Sequence, residues 1–248
     1  MTKANIKNHF FAVIPAAGKS SRMETGSSKQ FIELRGIPVL ARTLLVFEGS
    51  SHIDGIIIIC GSSEIAKVSE LCVKYKISKL IAIAEGGDSR QASVRNGLEK
   101  LADTIDAETA GSSYVLIHDG ARPFLSDRVV NECVETVIDS GACICAVPVK
   151  DTIKRAGDDG LVEETVPREN LWSVQTPQTF KFTDILTIHR KVATESAEFT
   201  DDASVAESFG MKIKIISGDY TNIKITTRED LLLGEIIVSG QVSREVSL

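Results

Sequence analysis

The run Gly55-Ile56-Ile57-Ile58-Ile59-Cys60 constrains this chain more than any other stretch. With no polar side chain along it, neither face of the strand can be left to water, so it reads as a parallel strand covered on both sides. Phe10 to Ile14, ending at Pro15, reads the same way, as do Lys79 to Ala84, Tyr114 to Ile117 and Ala142 to Val147. Helical spacing fills the intervals: Ile65, Val68, Leu71 and Tyr75 share one face, and Val94, Leu98 and Leu101 another. Val130, Cys133, Val134, Val137 and Ile138 form a third stripe, with Ser126 as its N-cap and Gly141 as its stop. Pro38 is placed to open a further helix through Leu45. Such alternation predicts an α/β fold, a doubly wound and mainly parallel sheet whose ligands sit at the carboxyl ends of the strands.

At 248 residues, one domain over 1–248 is expected, and 43% hydrophobic with 25% charged residues suits a globular chain with a sizeable core. A net charge of −6 argues against general nucleic-acid binding. The five cysteines, Cys60, Cys72, Cys133, Cys143 and Cys145, lie in or beside apolar runs with no CxxC pair, and read as reduced core residues of a cytoplasmic protein. Met1 to His9 holds scattered lysines and no long apolar stretch, so no signal peptide is expected, and nothing along the chain is long and apolar enough to span a bilayer.

From Pro148 to Trp172 the pattern changes. Lys150-Asp151-Thr152-Ile153-Lys154-Arg155 is polar, Gly157-Asp158-Asp159-Gly160 is turn-rich, and short alternating runs flank it. A hairpin with an Asp-Gly turn fits, too small to carry its own core and so expected to pack on something, a second subunit included. The αβ pattern resumes with a helix at Phe182, Ile185, Leu186 and His189, a strand from Lys212 to Ile216, and a last helix from Thr227 opened by the box-like Thr227-Arg228-Glu229-Asp230.

The residues suited to chemistry fall at strand ends. Pro15-Ala16-Ala17-Gly18 is a small-residue turn whose free N–H groups can cradle an anion, with Arg22 and Lys29 a few residues on. It is neither a Gly-Lys-Ser/Thr phosphate loop nor a GxGxxG fingerprint, and alone it reads equally as a turn with solvated cations. Gly86-Gly87-Asp88-Ser89-Arg90 opens a helix with Asp88 or Ser89 as cap, and could equally expose backbone to a base edge, with Arg90 and Ser93 facing the same site. In His118-Asp119-Gly120-Ala121-Arg122-Pro123, Asp119 suits a Mg²⁺ ligand beside the phosphate-binding guanidinium of Arg122, whereas His118 reads as a packed imidazole. Thr152, Arg155, Arg168, Thr176 and Lys224 could converge on a second anion, with Lys224 on an alternating strand, Asn222-Ile223-Lys224-Ile225-Thr226. No zinc-type His/Cys spacing and no GxSxG elbow occurs.

Taken in order, these motifs, with Pro148-Val149-Lys150-Asp151-Thr152-Ile153-Lys154, Thr176-Pro177-Gln178 and Thr200-Asp201-Asp202-Ala203-Ser204, make the chain resemble the 2-C-methyl-D-erythritol 4-phosphate cytidylyltransferase family of the non-mevalonate isoprenoid pathway, from about Phe11 to Leu233. One departure is Gly120, where that family usually has alanine; little consequence is expected. The resemblance implies a nucleotide-diphospho-sugar transferase-like fold, Mg²⁺ dependence, and a homodimer exchanging a protruding β-arm, which matches 148–172. It implies that Arg22, Lys29 and Lys224 carry the catalysis, and that Ala16, Ala17, Gly18, Gly87, Asp88 and Ser93 hold CTP. Asp119, Arg122, Thr152, Arg168 and Thr176 would hold the sugar-alcohol phosphate, with Asp119 also the metal ligand, and Arg168 and Thr152 reaching over from a partner's arm. By the same resemblance CMP passes to methylerythritol phosphate with loss of pyrophosphate. Ribitol-5-phosphate cytidylyltransferase shares the nucleotide half and is the nearest rival; a non-catalytic nucleotide-binding regulator and an NAD-dependent oxidoreductase are more remote. No fused second catalytic domain, such as the downstream cyclase, is expected.

Overall fold

The computed structural model describes residues 7–18, 29–194 and 199–245, with backbone alone at 29 and 241–245. Its strands are β1 (His9–Pro15), β2 (Glu33–Leu34), β3 (Ile37–Pro38), β4 (Gly55–Cys60), β5 (Leu80–Glu85), β6 (Ser113–Ile117), β7 (Ala142–Pro148), β8 (Ile153–Ala156), β9 (Val162–Val166), β10 (Trp172–Lys181) and β11 (Lys214–Ser217). The helices are α1 (Val39–Gly49), α2 (Ile65–Lys74), α3 (Arg90–Ala102), α4 (Ala107–Gly111), α5 (Asp127–Ser140), α6 (Phe182–Val192), α7 (Asp202–Glu207) and α8 (Arg228–Glu245).

The unbroken apolar run Gly55–Cys60 is β4, and every residue in it is buried. It lies in a seven-stranded sheet of order β11-β7-β10-β6-β1-β4-β5. Neighbours pair in parallel except at β10, which runs antiparallel to both β6 and β7. Because successive side chains leave a strand on opposite faces, Ala12, Ile14, Ile56 and Ile58 join α1, α2 and α5 in one core. Phe11, Val13, Ile57 and Ile59 join α3, α6 and α7 in the other. The sheet is wound on both sides, as predicted. A smaller core of Leu34, Val39, Phe124, Ile225 and Val238 seats α8.

The local signals mostly hold. α5 stops at Gly141, whose φ of +74° is left-handed. Ser126 stands at the α5 N-cap, but its hydroxyl donates to Asp219 Oδ2 (2.6 Å) instead of serving the helix. At α8 the box is reciprocal: Thr227 N–H donates to Asp230 Oδ2 (2.8 Å) and Asp230 N–H to Thr227 Oγ1 (3.4 Å).

One expectation is corrected: Asn222 to Thr226 is not a strand but a loop, tied down where Ile225 N–H donates to the Ala121 carbonyl (2.8 Å). The segment before Phe182, to which the sequence assigned no element, is the ten-residue strand β10. Between β7 and β10 the predicted hairpin is present as β8 and β9, antiparallel, turning at Asp159-Gly160, where Gly160 has φ +77°. This ribbon leaves Leu161 69% and Val162 61% exposed.

Candidate active site

The chain places β4 and β5 on one side of β1, then returns to lay β6 on the other. Loops leaving β1 and β6 part there, and in such sheets the crevice at their carboxyl ends is where ligands bind. A cavity of about 460 Å³ occupies that place.

One wall is made of main chain and small side chains. Pro15, Ala16, Ala17 and Gly18 come from the end of β1, Gly87, Asp88 and Ser89 from the β5–α3 turn, and Ser93 from the first turn of α3. Ser89 caps α3 by accepting from Ala92 N–H (3.0 Å), while Ser93 Oγ accepts from Gly87 N–H (3.0 Å) and donates to the Ser89 carbonyl (2.8 Å). Those bonds draw the turn so tight that a Cβ on Gly87 would stand 2.6 Å from the Ala92 Cβ. At Gly120 a Cβ would stand 3.1 Å from the Ala16 Cβ, so the expectation that alanine would serve equally there meets a close contact.

The opposite wall is ionic. Asp119, 7% exposed, places Oδ2 3.0 Å from Lys224 Nζ and 3.2 Å from Arg122 Nε, and Oδ1 3.7 Å from Arg90 Nε. Burial by itself would raise its pKa; Lys224, then Arg90 and Arg122, more than offset that and hold the carboxyl far below the ordinary carboxylate range. Behind it runs a chain of hydrogen bonds. Asp119 N–H donates to Thr176 Oγ1 (3.1 Å), Thr176 Oγ1 meets His118 Nδ1 (3.0 Å), and His118 Nε2 meets the Arg122 carbonyl (3.0 Å). A carbonyl can only accept, so Nε2 carries a proton; in the neutral imidazole Nδ1 then accepts from the Thr176 hydroxyl. Burial favours that neutral form and pushes the His118 pKa down to about 4. The packed, hydrogen-bonded histidine expected from the sequence is what the fold contains.

Eight predicted residues line the cavity: Ala16, Ala17, Gly18, Gly87, Asp88, Ser93, Asp119 and Lys224. Arg122 and Thr176 do not. Arg122 is spent on Asp119 and on the Asn222 carbonyl (2.9 Å), and Thr176 is buried behind Asp119. Thr152 and Arg168 sit exposed on the ribbon, Arg168 donating to the Lys150 carbonyl, outside the cavity of their own chain. Arg22 lies outside the described residues, as does the Lys29 side chain. Sequence reasoning gave no role to Gln30, which lines the cavity and is fixed by donating Nε2–H to Glu64 Oε2 (2.8 Å). Its only sequence signal was its place between Lys29 and Phe31.

Among the described residues no group of three or more His, Cys, Asp or Glu side chains could cage a metal. Asp119 is ionised and stands on the cavity wall, as a carboxylate ligand to Mg²⁺ would, while Lys224, Arg122 and Arg90 already face its two oxygens.

Comparison with known proteins points to one family. The family profile described as 2-C-methyl-D-erythritol 4-phosphate cytidylyltransferase matches residues 10–240. A protein of that name from Geobacillus thermodenitrificans is 44% identical over 236 residues, 95% of this chain and 99% of the relative. One from Clostridium novyi is 45% identical over 230 residues, 92% of this chain and 96% of the relative. The crystal structure of 4-diphosphocytidyl-2C-methyl-D-erythritol synthase from Anaerococcus prevotii superposes with a TM-score of 0.80 at 30% identity, covering 94% of this chain and 96% of that one.

Proposed function

The chain belongs to the 2-C-methyl-D-erythritol 4-phosphate cytidylyltransferase family, and from that premise we propose that it transfers CMP from CTP to 2-C-methyl-D-erythritol 4-phosphate, releasing pyrophosphate. The observation that supports this reading most is the meeting of two unlike walls in one cavity. A wall of backbone and small side chains suits a nucleoside triphosphate, and the Asp119–Lys224–Arg90 wall suits a second phosphate.

The chemistry follows from charge. A phosphate oxygen of the sugar-alcohol phosphate is already an anion, so attack on the α-phosphorus of CTP requires no general base. The new O–P bond forms as the bond to the bridging oxygen breaks, and pyrophosphate leaves with that electron pair. The obstacle is repulsion between two anions, which fixed cations remove while holding the reactants in line. In this reading Ala16, Ala17, Gly18, Gly87, Asp88 and Ser93 bind CTP, and Lys224, with Arg22 and Lys29, offsets the charge that builds during transfer. Arg122 and Thr176 act through Asp119, one by charge and the other by holding its main chain. Asp119 would hold Mg²⁺, which when bound contributes further neutralisation of phosphate charge.

The ribbon 148–172 is proposed to reach a partner in a homodimer and bring Thr152 and Arg168 to the partner's cavity. Its exposed Leu161 and Val162, and the absence of both polar residues from the lining of their own chain's cavity, support this. Five buried, unpaired thiols support a cytoplasmic setting.

The test is pyrophosphate release from CTP and Mg²⁺ with methylerythritol phosphate and ribitol 5-phosphate in competition. Preferential consumption of the former is expected. Equal or preferred use of ribitol 5-phosphate overturns the substrate, and no release with either overturns the reaction.

A further inference from the structure

Behind the ionic wall lies a second charged group for which the mechanism has so far had no use. Asp202, the first residue of α7, is 0% exposed. Its Oδ2 lies 2.8 Å from Arg90 Nη2 and its Oδ1 3.3 Å from Nε2 of His189, itself buried on α6. The same guanidinium turns its Nε toward Asp119 on the cavity wall. Arg90 therefore has one nitrogen in the interior and another at the pocket. Among the described residues, Arg90 and Lys224 are the cationic side chains that line the cavity.

Asp202 is not free to follow Arg90 about. The start of α7 is clamped from β10: Gln178 Nε2–H donates to Asp201 Oδ2 (2.7 Å), and Gln178 Oε1 accepts from Ala203 N–H (2.9 Å). Asp201 in turn caps the helix reciprocally with Ser204. A buried ion pair seldom adds net stability over apolar packing, so stability alone is a poor account of a carboxylate held at so fixed a point. What the arrangement does supply is direction. A guanidinium is a planar fork, and anchoring one tine leaves the other aimed.

We propose that Asp202 is a positioning residue which, through Arg90, aims a second cation at the phosphate of the sugar-alcohol phosphate beside Asp119. This rests on the reaction assigned above. Steady-state kinetics on the full chain, varying each substrate in turn, compares the unaltered enzyme with Asp202→Asn, Arg90→Gln and the double variant. Asp202→Asn and Arg90→Gln should each lower kcat/KM for methylerythritol phosphate by about tenfold or more. KM for CTP should stay within about twofold, and the double variant should be no worse than Arg90→Gln. Unchanged kcat/KM in Asp202→Asn, or an equal further loss when it is added to Arg90→Gln, overturns the proposal. Should Asp202→Asn fail to fold, Arg90→Lys keeps the charge but cannot span both carboxylates, and is expected to show the same acceptor-specific loss. Ordinary acceptor kinetics in Arg90→Lys overturns the proposal. No turnover in the unaltered enzyme overturns the reaction and this proposal together, whereas normal turnover with indifferent variants overturns this proposal alone.

Discussion

The Lys224 ammonium stands 3.0 Å from Asp119 Oδ2, although one belongs to the loop after β6 and the other to a loop close to the last helix. The pairing gives Lys224 a fixed place and keeps Asp119 ionised. Lys224→Ala should therefore act on turnover more than on nucleotide affinity. A positioned charge of this kind is worth on the order of 3 kcal/mol in the barrier, so kcat should fall roughly a hundredfold. CTP affinity, measured by calorimetry on the same variant, should change little; near-normal kcat would count heavily against the assigned chemistry.

Gly87→Ala is expected to damage the other wall. Its Cβ would collide at 2.6 Å with the Ala92 Cβ, which is rigid, so the turn or the first turn of α3 must move. The Gly87–Ser93 hydrogen bond would stretch with it. CTP binding should weaken by about tenfold or more, while KM for the acceptor moves less. Unchanged CTP affinity would show that this turn does not touch the nucleotide.

Acid should begin to destabilise the fold above the pH range in which carboxylates titrate. His118 ionises at about 4 in the folded chain against an ordinary 6.5. The unfolded chain thus takes up a proton first, and stability falls as pH drops through that window. The loss approaches ~3 kcal/mol at its lower end. Asp119 and Asp202, both held below their ordinary values, add to it only as pH falls through the carboxylate range. Urea unfolding between pH 7 and 4 should show this slope, and His118→Asn should flatten it. An identical slope in the variant would place the proton uptake elsewhere.

The proposed exchange of arms between subunits can be tested by complementation. Under that proposal Arg168→Ala spoils the arm a subunit would lend, whereas Lys224→Ala spoils the pocket it would keep. Each variant alone should be nearly inactive. Co-expressed, they should regain about a quarter of normal activity, because half the dimers are mixed and each of those has one intact site. No recovery would mean that each arm serves its own chain.

Much of this was readable in advance because burial and hydropathy coincide in β1, β4, β6 and β7. They part company in β10. Gln175, Thr176, Gln178 and Thr179 are buried there, and polarity with a proline left the segment without a strand signal. Gln175, Thr176 and Gln178 are tolerable inside because each is hydrogen-bonded to a group far away in sequence, such as the Asp219 carbonyl, His118 and Asp201. Asn222 to Thr226 misled in the opposite sense. Its alternation suggests a strand, but Ile225 is buried against a loop and Asn222 bonds the Thr176 carbonyl, so the alternation serves a tether. Arg90 and Asp202 were visible as members of motifs, but nothing local joins the start of α3 to the start of α7.

β10 begins at the root of the ribbon, where Trp172 pairs with Pro148, and continues to the hydroxyl that grips the Asp119 main chain. One strand is thus both the hinge-post of the arm and the back-rest of the pocket. If the ribbon grips a second subunit as proposed, whatever pulls on it bears on the same strand that carries the hydroxyl behind Asp119.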